Sequence, residues 1–103
     1  MKGFSGNIEK LTLENDNFRQ VLYTAKHCQL VLMSLPVGGE IGSEIHEEND
    51  QFFRFESGEG KVLIDGNEYI VSDGSAIIVP AGAEHNVINT GEEPLKLYTI
   101  YSP

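Results

Sequence analysis

The sequence predicts an all-β domain, built as a sandwich or a closed barrel. Three observations carry that prediction. Glycine and proline punctuate the chain at short intervals. Between them lie runs of about five to eight residues rich in Val, Ile, Leu, Phe and Tyr, a composition that suits a pleated, half-buried ribbon. No segment of about ten residues or more repeats its apolar positions with a helical period.

Taken in chain order, Asn7–Asn17 fits either a short helix or another strand. Strands are expected at Arg19–Ala25, Cys28–Leu35, Ile41–His46, Gln51–Glu56, Lys61–Asp65, Glu68–Val71, Ala76–Val79, His85–Asn89 and Leu95–Tyr101. Turns are expected at Gly38-Gly39, Ser57-Gly58-Glu59-Gly60, Asp65-Gly66-Asn67, Asp73-Gly74, Pro80-Ala81-Gly82 and Thr90-Gly91, where residue types tolerant of turn geometry cluster. The clearest local signal is the hairpin Lys61–Val71, in which a Gly-containing two-residue loop joins two apolar runs. Many short strands with regular turns make a sandwich or barrel. The 103 residues suit a single domain with one core and one pocket, and no repeat or low-complexity tract divides residues 1–103.

Composition excludes several classes of function. The chain carries 7 basic and 16 acidic residues, a formal charge of −9. Phosphate backbones are bound by clustered Lys and Arg, so nucleic acid is not an expected partner. An anionic membrane surface is disfavoured for the same reason. No apolar run approaches the roughly 18 residues of a membrane span, and the first residues lack the apolar core of a signal peptide. A cytoplasmic location is expected. The one cysteine, Cys28, cannot form an intrachain disulfide and, at the head of an apolar run, is expected to be a buried, inert thiol.

Candidate chemistry begins at Glu44-Ile45-His46. Side chains alternate faces along a strand, so Glu44 and His46 share one face. Burying a carboxylate alone is costly, and a cation between the two groups would remove most of that cost. An exposed pair, where no such cost arises, is the other reading. His85 follows a Pro-x-Gly turn and enters an apolar strand with Asn89 four residues on, on the same face. Read alone, His85 is an ordinary hydrogen-bonded residue and Gln51 a polar residue opening a strand.

Joint spacing is more specific. The residues read Gly38-x5-Glu44-x-His46-x4-Gln51-x6-Gly58, then Gly74-x5-Pro80-x-Gly82-x2-His85-x3-Asn89. This closely resembles the two motifs of the cupin superfamily, normally Gly-x5-His-x-His-x3,4-Glu-x6-Gly and Gly-x5-Pro-x-Gly-x2-His-x3-Asn. The second is matched at every fixed position. The first keeps both glycines and His46, with Glu44 in place of a histidine and Gln51 in place of the glutamate. The matched stretches are residues 38–58 and 74–89, and the span from Gly38 to Asn89 is about half the chain. The resemblance implies a double-stranded β-helix, or jelly-roll, barrel.

By the same resemblance, His46 and His85 carry over as metal ligands, and Glu44 and Gln51 carry over by position with changed chemistry. Two imidazoles and a carboxylate suit first-row divalent ions: Fe, Mn, Ni, Cu, Co or Zn. Ca²⁺ and Mg²⁺ prefer all-oxygen sites. The implied function is a metal-dependent enzyme of dioxygenase or isomerase type acting on a small oxygen-bearing molecule, with the metal as Lewis acid or dioxygen-binding centre. The small single-domain members, related to mannose-6-phosphate isomerase, are the closest in kind. The alternative is a non-catalytic module that senses a small ligand or a metal. Few basic residues lie within the strands or their links (Lys26, Arg54, Lys61 and Lys96), which disfavours a phosphorylated substrate. The resemblance also implies a homodimer that hides an edge strand.

Pro80 and Gly82 are expected to shape the turn that aims His85 inward. Asn89 reads either as a buttress for a ligand or as a strand-end hydrogen bond. Phe53, Phe55, Met33 and Tyr98 read first as core and second as pocket lining. Tyr23 and Tyr101 are candidate acids that nothing in the sequence singles out.

Overall fold

A computed structural model describes residues 1–103. A short helix, α1 (Ile8–Glu14), precedes nine strands: β1 (Arg19–Thr24), β2 (Gln29–Leu35), β3 (Glu44–Ile45), β4 (Asp50–Ser57), β5 (Gly60–Ile64), β6 (Asn67–Val71), β7 (Ala76–Val79), β8 (Glu84–Asn89) and β9 (Leu95–Ser102). They form two antiparallel sheets, one ordered β1-β2-β9-β4-β7 and the other β3-β8-β5-β6. From β2 onward the chain passes back and forth between the sheets, apart from the β5–β6 hairpin, so the two inner faces close on each other as a jelly roll.

Alternation along the strands decides what lies between the sheets. On β4, Gln51, Phe53 and Phe55 are buried while their neighbours are not. On β8 the buried set is His85, Val87 and Asn89. Of these, Phe53, Phe55 and Val87 meet Val31, Met33, Leu35, Val62, Val79, Leu95 and Leu97 in one apolar cluster. Each fully buried Phe, Leu or Val contributes about 1.5–3 kcal/mol relative to leaving it in water. The cluster occupies the middle of the sandwich and leaves one end to polar groups. Phe53, Phe55 and Met33 therefore belong to the core, while Tyr98 lies on the other face of β9 beside Phe52.

The hairpin between β5 and β6 forms as its sequence requires. Asp65 and Gly66 both take positive φ, 46° and 83°, the type I′ geometry that matches strand twist. Asn7–Asn17 resolves as a helix, because the Asn7 side chain accepts a bond from Lys10 N (3.1 Å) and starts it. At its other end Lys96 Nζ donates to the carbonyls of Leu13 (2.9 Å) and Asn15 (2.8 Å). Those are carbonyls that a helix end leaves free.

Two expectations need correction. Ile41–His46 is not one strand. Only Glu44–Ile45 pairs with β8, with an isolated bridge from Glu40 to Ile88. Between them the Gly42 amide bonds the Asn86 side chain (2.9 Å) instead of a neighbouring strand. Cys28 is exposed, not buried. It precedes β2 in a tight link closed by a bond from Ala25 N to Cys28 O (2.8 Å), which holds it off the inner face.

Candidate metal centre

Register builds the centre of the polar end. Glu44 on β3 lies directly opposite His85 on β8, so both side chains stand on the inner face. His46 follows β3 and is tied to the second motif by a bond from Gly82 N to His46 O (2.9 Å). The turn that launches His85 is thereby fixed against the residue after β3. One ligand-type atom from each of Glu44, His46 and His85 lies within 4.8 Å of the other two. The closest pair is His46 Nε2 and Glu44 Oε2 at 2.8 Å. Two atoms each about 2.1 Å from one ion, at a right angle, are about 3 Å apart, so this pair already has the spacing that an octahedral ion asks of adjacent ligands.

Gln51 belongs to the opposite sheet and is buried, with 3% of its surface exposed. It pairs with Tyr101 on β9, whose ring meets the His46 ring edge-on at 5.4 Å between centroids. Phe53, two residues along the same face of β4, meets the His85 ring at 6.2 Å. Gln51 is thus bracketed by residues that touch both histidines. Its amide is oriented from behind. The Thr99 hydroxyl donates its single hydrogen to Phe52 O (2.9 Å), so it accepts from Gln51 Nε2 (2.9 Å). The amide oxygen is left facing inward.

Three buried side-chain atoms have no hydrogen-bond partner: Gln51 Oε1, His85 Nε2 and Arg54 Nε. Arg54 lies on the outward face of β4 near Glu56 (3.4 Å). His85 Nε2 belongs to the Glu44–His46–His85 group, and Gln51 Oε1 stands on β4 of the opposite sheet. A buried polar atom without a partner costs about 1–3 kcal/mol, so the free His85 nitrogen calls for an occupant. The ring of His85 is oriented for one. Its Nδ1 lies 3.1 Å from Ala83 O and, as the donor of that bond, leaves Nε2 as the free, lone-pair-bearing nitrogen.

Exposure grades across the cluster. His85 and Gln51 are buried, whereas the side chains of His46 and Glu44 keep 28% and 40% of their surface open. Beyond His46 a cleft of about 370 Å³ opens, with Arg19, Lys26, Gln29, Asn49 and Tyr101 in its walls, and Cys28 lines it too. Of the acidic stretch Glu47-Glu48-Asn49-Asp50, the first three residues lie in the loop between β3 and β4, and Asp50 opens β4.

Three of the four residues selected from motif spacing, Glu44, His46 and His85, therefore come together, and Gln51 is buried on β4 of the opposite sheet. Asn89 is not among them: Nδ2 donates toward the carbonyls of Leu35, Pro36 and Glu93, and Oδ1 accepts from Gly91 N, so its role is strand-end hydrogen bonding. Tyr101 meets His46, whereas the Tyr23 hydroxyl bonds Lys2 O elsewhere. Sequence reasoning did not find Thr99 or Arg19 as neighbours of this end, and it held Phe53 first as core and only second as pocket lining. Only register could have shown them, because a Thr or Phe on a strand reads as packing and Arg19 opens a strand far from the motifs.

Comparison with known proteins agrees with this geometry. A family model described as a cupin domain matches residues 31–101. The chain is 51% identical over 108 residues to YrkC of Bacillus subtilis (strain 168), across 99% of this chain and 58% of that protein, so it spans little more than half of this relative. The crystal structure of BH2720 from Bacillus halodurans superposes with a TM-score of 0.97 at 47% identity, covering 99% of this chain and 82% of that one. Mannose-1-phosphate guanylyltransferase of Klebsiella pneumoniae is 28% identical over 65 residues, 63% of this chain and 14% of the enzyme.

Proposed function

The chain belongs to the cupin family, and from that premise we propose that it binds one divalent transition metal through Glu44, His46, His85 and Gln51 and uses it as an enzyme. One observation carries this reading: Glu44, His46 and His85 bring one ligand-type atom each within 4.8 Å of one another, and the buried His85 Nε2 among them has no hydrogen-bond partner. Two imidazole nitrogens, a carboxylate oxygen and an amide oxygen fit Fe, Mn, Ni, Cu, Co or Zn.

When bound, such an ion supplies Lewis acidity and open coordination positions for a small oxygen-bearing molecule. The protein's own groups do the rest. Gln51 and His85 are held from behind by Thr99 and Ala83, so the donors are placed before a ligand arrives. Phe53 and the apolar cluster exclude water from the inner side of the site. Half-open Glu44 and His46 leave the outer side accessible. The reaction class we favour is that of a dioxygenase or an isomerase.

His85→Ala is the direct test. Elemental analysis of the purified, metal-reloaded protein is expected to fall from about one ion per chain to near zero, while circular dichroism keeps its β signature. Unchanged metal content in that variant would refute the site. Activity is tested by removing and restoring single metals, then following oxygen uptake with diketones, phenols and amino-thiols under Fe(II). Turnover with one metal supports an enzyme, whereas tight stoichiometric binding without turnover across the panel assigns a sensing module.

A homodimer accompanies this reading. Ile70 on β6 and Ile78 on β7 are 77% and 67% exposed, and each of these strands is one of the two edges of its sheet. Exposed apolar edges invite pairing. Sedimentation equilibrium is expected to give twice the 11.4 kDa chain mass.

A further inference from the structure

The cleft outside His46 has a charge opposite to that of the chain. The protein carries −9 overall, yet no Asp or Glu lines this cleft. Its charged side chains are Arg19, from β1, and Lys26, from the link between β1 and β2. Neither takes part in an ion pair, whereas Arg54 lies 3.4 Å from Glu56 and Lys96 lies 3.0 Å from Asp16. The remaining polar wall is neutral: Gln29, Asn49 and Tyr101. At about 370 Å³ the cleft is in the size range of small-ligand pockets, which begin at about 300 Å³.

We propose that this cleft selects small organic acids, with a donor end at the metal centre beside His46 and a carboxylate at the far end held by Arg19 and Lys26. Two unpaired cations in an otherwise acidic molecule attract and orient an anion along a wall that no Asp or Glu lines. The Arg19 guanidinium presents a planar fork that matches a carboxylate, and Lys26 adds a compact charge. Tyr101 joins the two ends, since its ring packs on His46 and also lines the cleft. The inference rests on the metal site proposed above and names the class of molecule that site takes.

The test compares two probes of equal chain length by calorimetry on metal-loaded protein. 2-Oxoglutarate carries a distal carboxylate; 2-oxopentanoate ends in a methyl group. The wild type is expected to bind 2-oxoglutarate at least tenfold more tightly. In the double variant Arg19→Gln with Lys26→Gln, that preference is expected to fall below threefold with one metal still bound per chain. Equal affinity for the two acids in the wild type overturns the cleft assignment, as does a preference that survives in the variant. A wild type that takes up no metal overturns the site itself, and elemental analysis separates that failure from the other.

Discussion

At the scale of single residues, the candidate site depends on how few freedoms its side chains retain. Gln51 is the clearest case. Its amide would be ambiguous in isolation, but the Thr99 hydroxyl spends its one hydrogen on Phe52 O and so must accept from the amide nitrogen. Thr99→Val removes that acceptor at nearly constant volume. Groups that orient ligands from behind typically account for 10–100-fold in metal affinity. We therefore expect Thr99→Val to weaken metal binding about tenfold in a chelator competition assay, with the fold retained. The group Glu44, His46 and His85 was legible in the sequence, because their spacing against Gly38, Gly74, Pro80 and Gly82 is distinctive. Thr99 was not. It reaches Gln51 only because β9 pairs with β4 in a register that sets Thr99 opposite Phe53 and Tyr101 opposite Gln51. That pairing is a property of two strands far apart in sequence.

At the scale of elements, most strands were legible because their core-facing alternation is strong, as along β4 and β8. Two misreadings share a cause. Apolar or alternating residues around Ile41 and Cys28 looked like strand, but a side-chain bond from Asn86 and a tight link at Ala25 claimed the backbone there. Helix α1 stayed ambiguous because its end is secured by Lys96, more than eighty residues away in the chain. The glycines of the motifs have a local reason that sequence alone only labels. Gly58, just after β4, takes φ +100°, and a Cβ added there would lie 2.7 Å from Pro94 O. Gly58→Ala must strain the backbone and displace the approach to β9, so we expect a loss of about 1–3 kcal/mol in chemical denaturation. Metal content should stay unchanged, because Gly58 lies at the end of β4 away from Gln51.

At the scale of the whole molecule, the candidate donors are divided between the two sheets. Glu44 and His85 belong to the β3-β8-β5-β6 sheet with His46 just after β3, and Gln51 stands on β4 of the other. An ion held by all four would join the sheets at the end that the apolar cluster leaves open. A ligand that binds only the folded state stabilises it by about 2.7 kcal/mol at a hundredfold excess over its dissociation constant. We expect calorimetric melting to shift upward by several degrees on adding the working metal, and the shift to vanish in His85→Ala. The cluster led by Phe53, Phe55 and Leu35 forms without any donor atom. Foldedness and chemistry are consequently separable in this architecture. A lineage built on it is free to exchange one coordinating group for another, as with a carboxylate at position 44, or to abandon catalysis and keep the vessel, without passing through an unfolded ancestor.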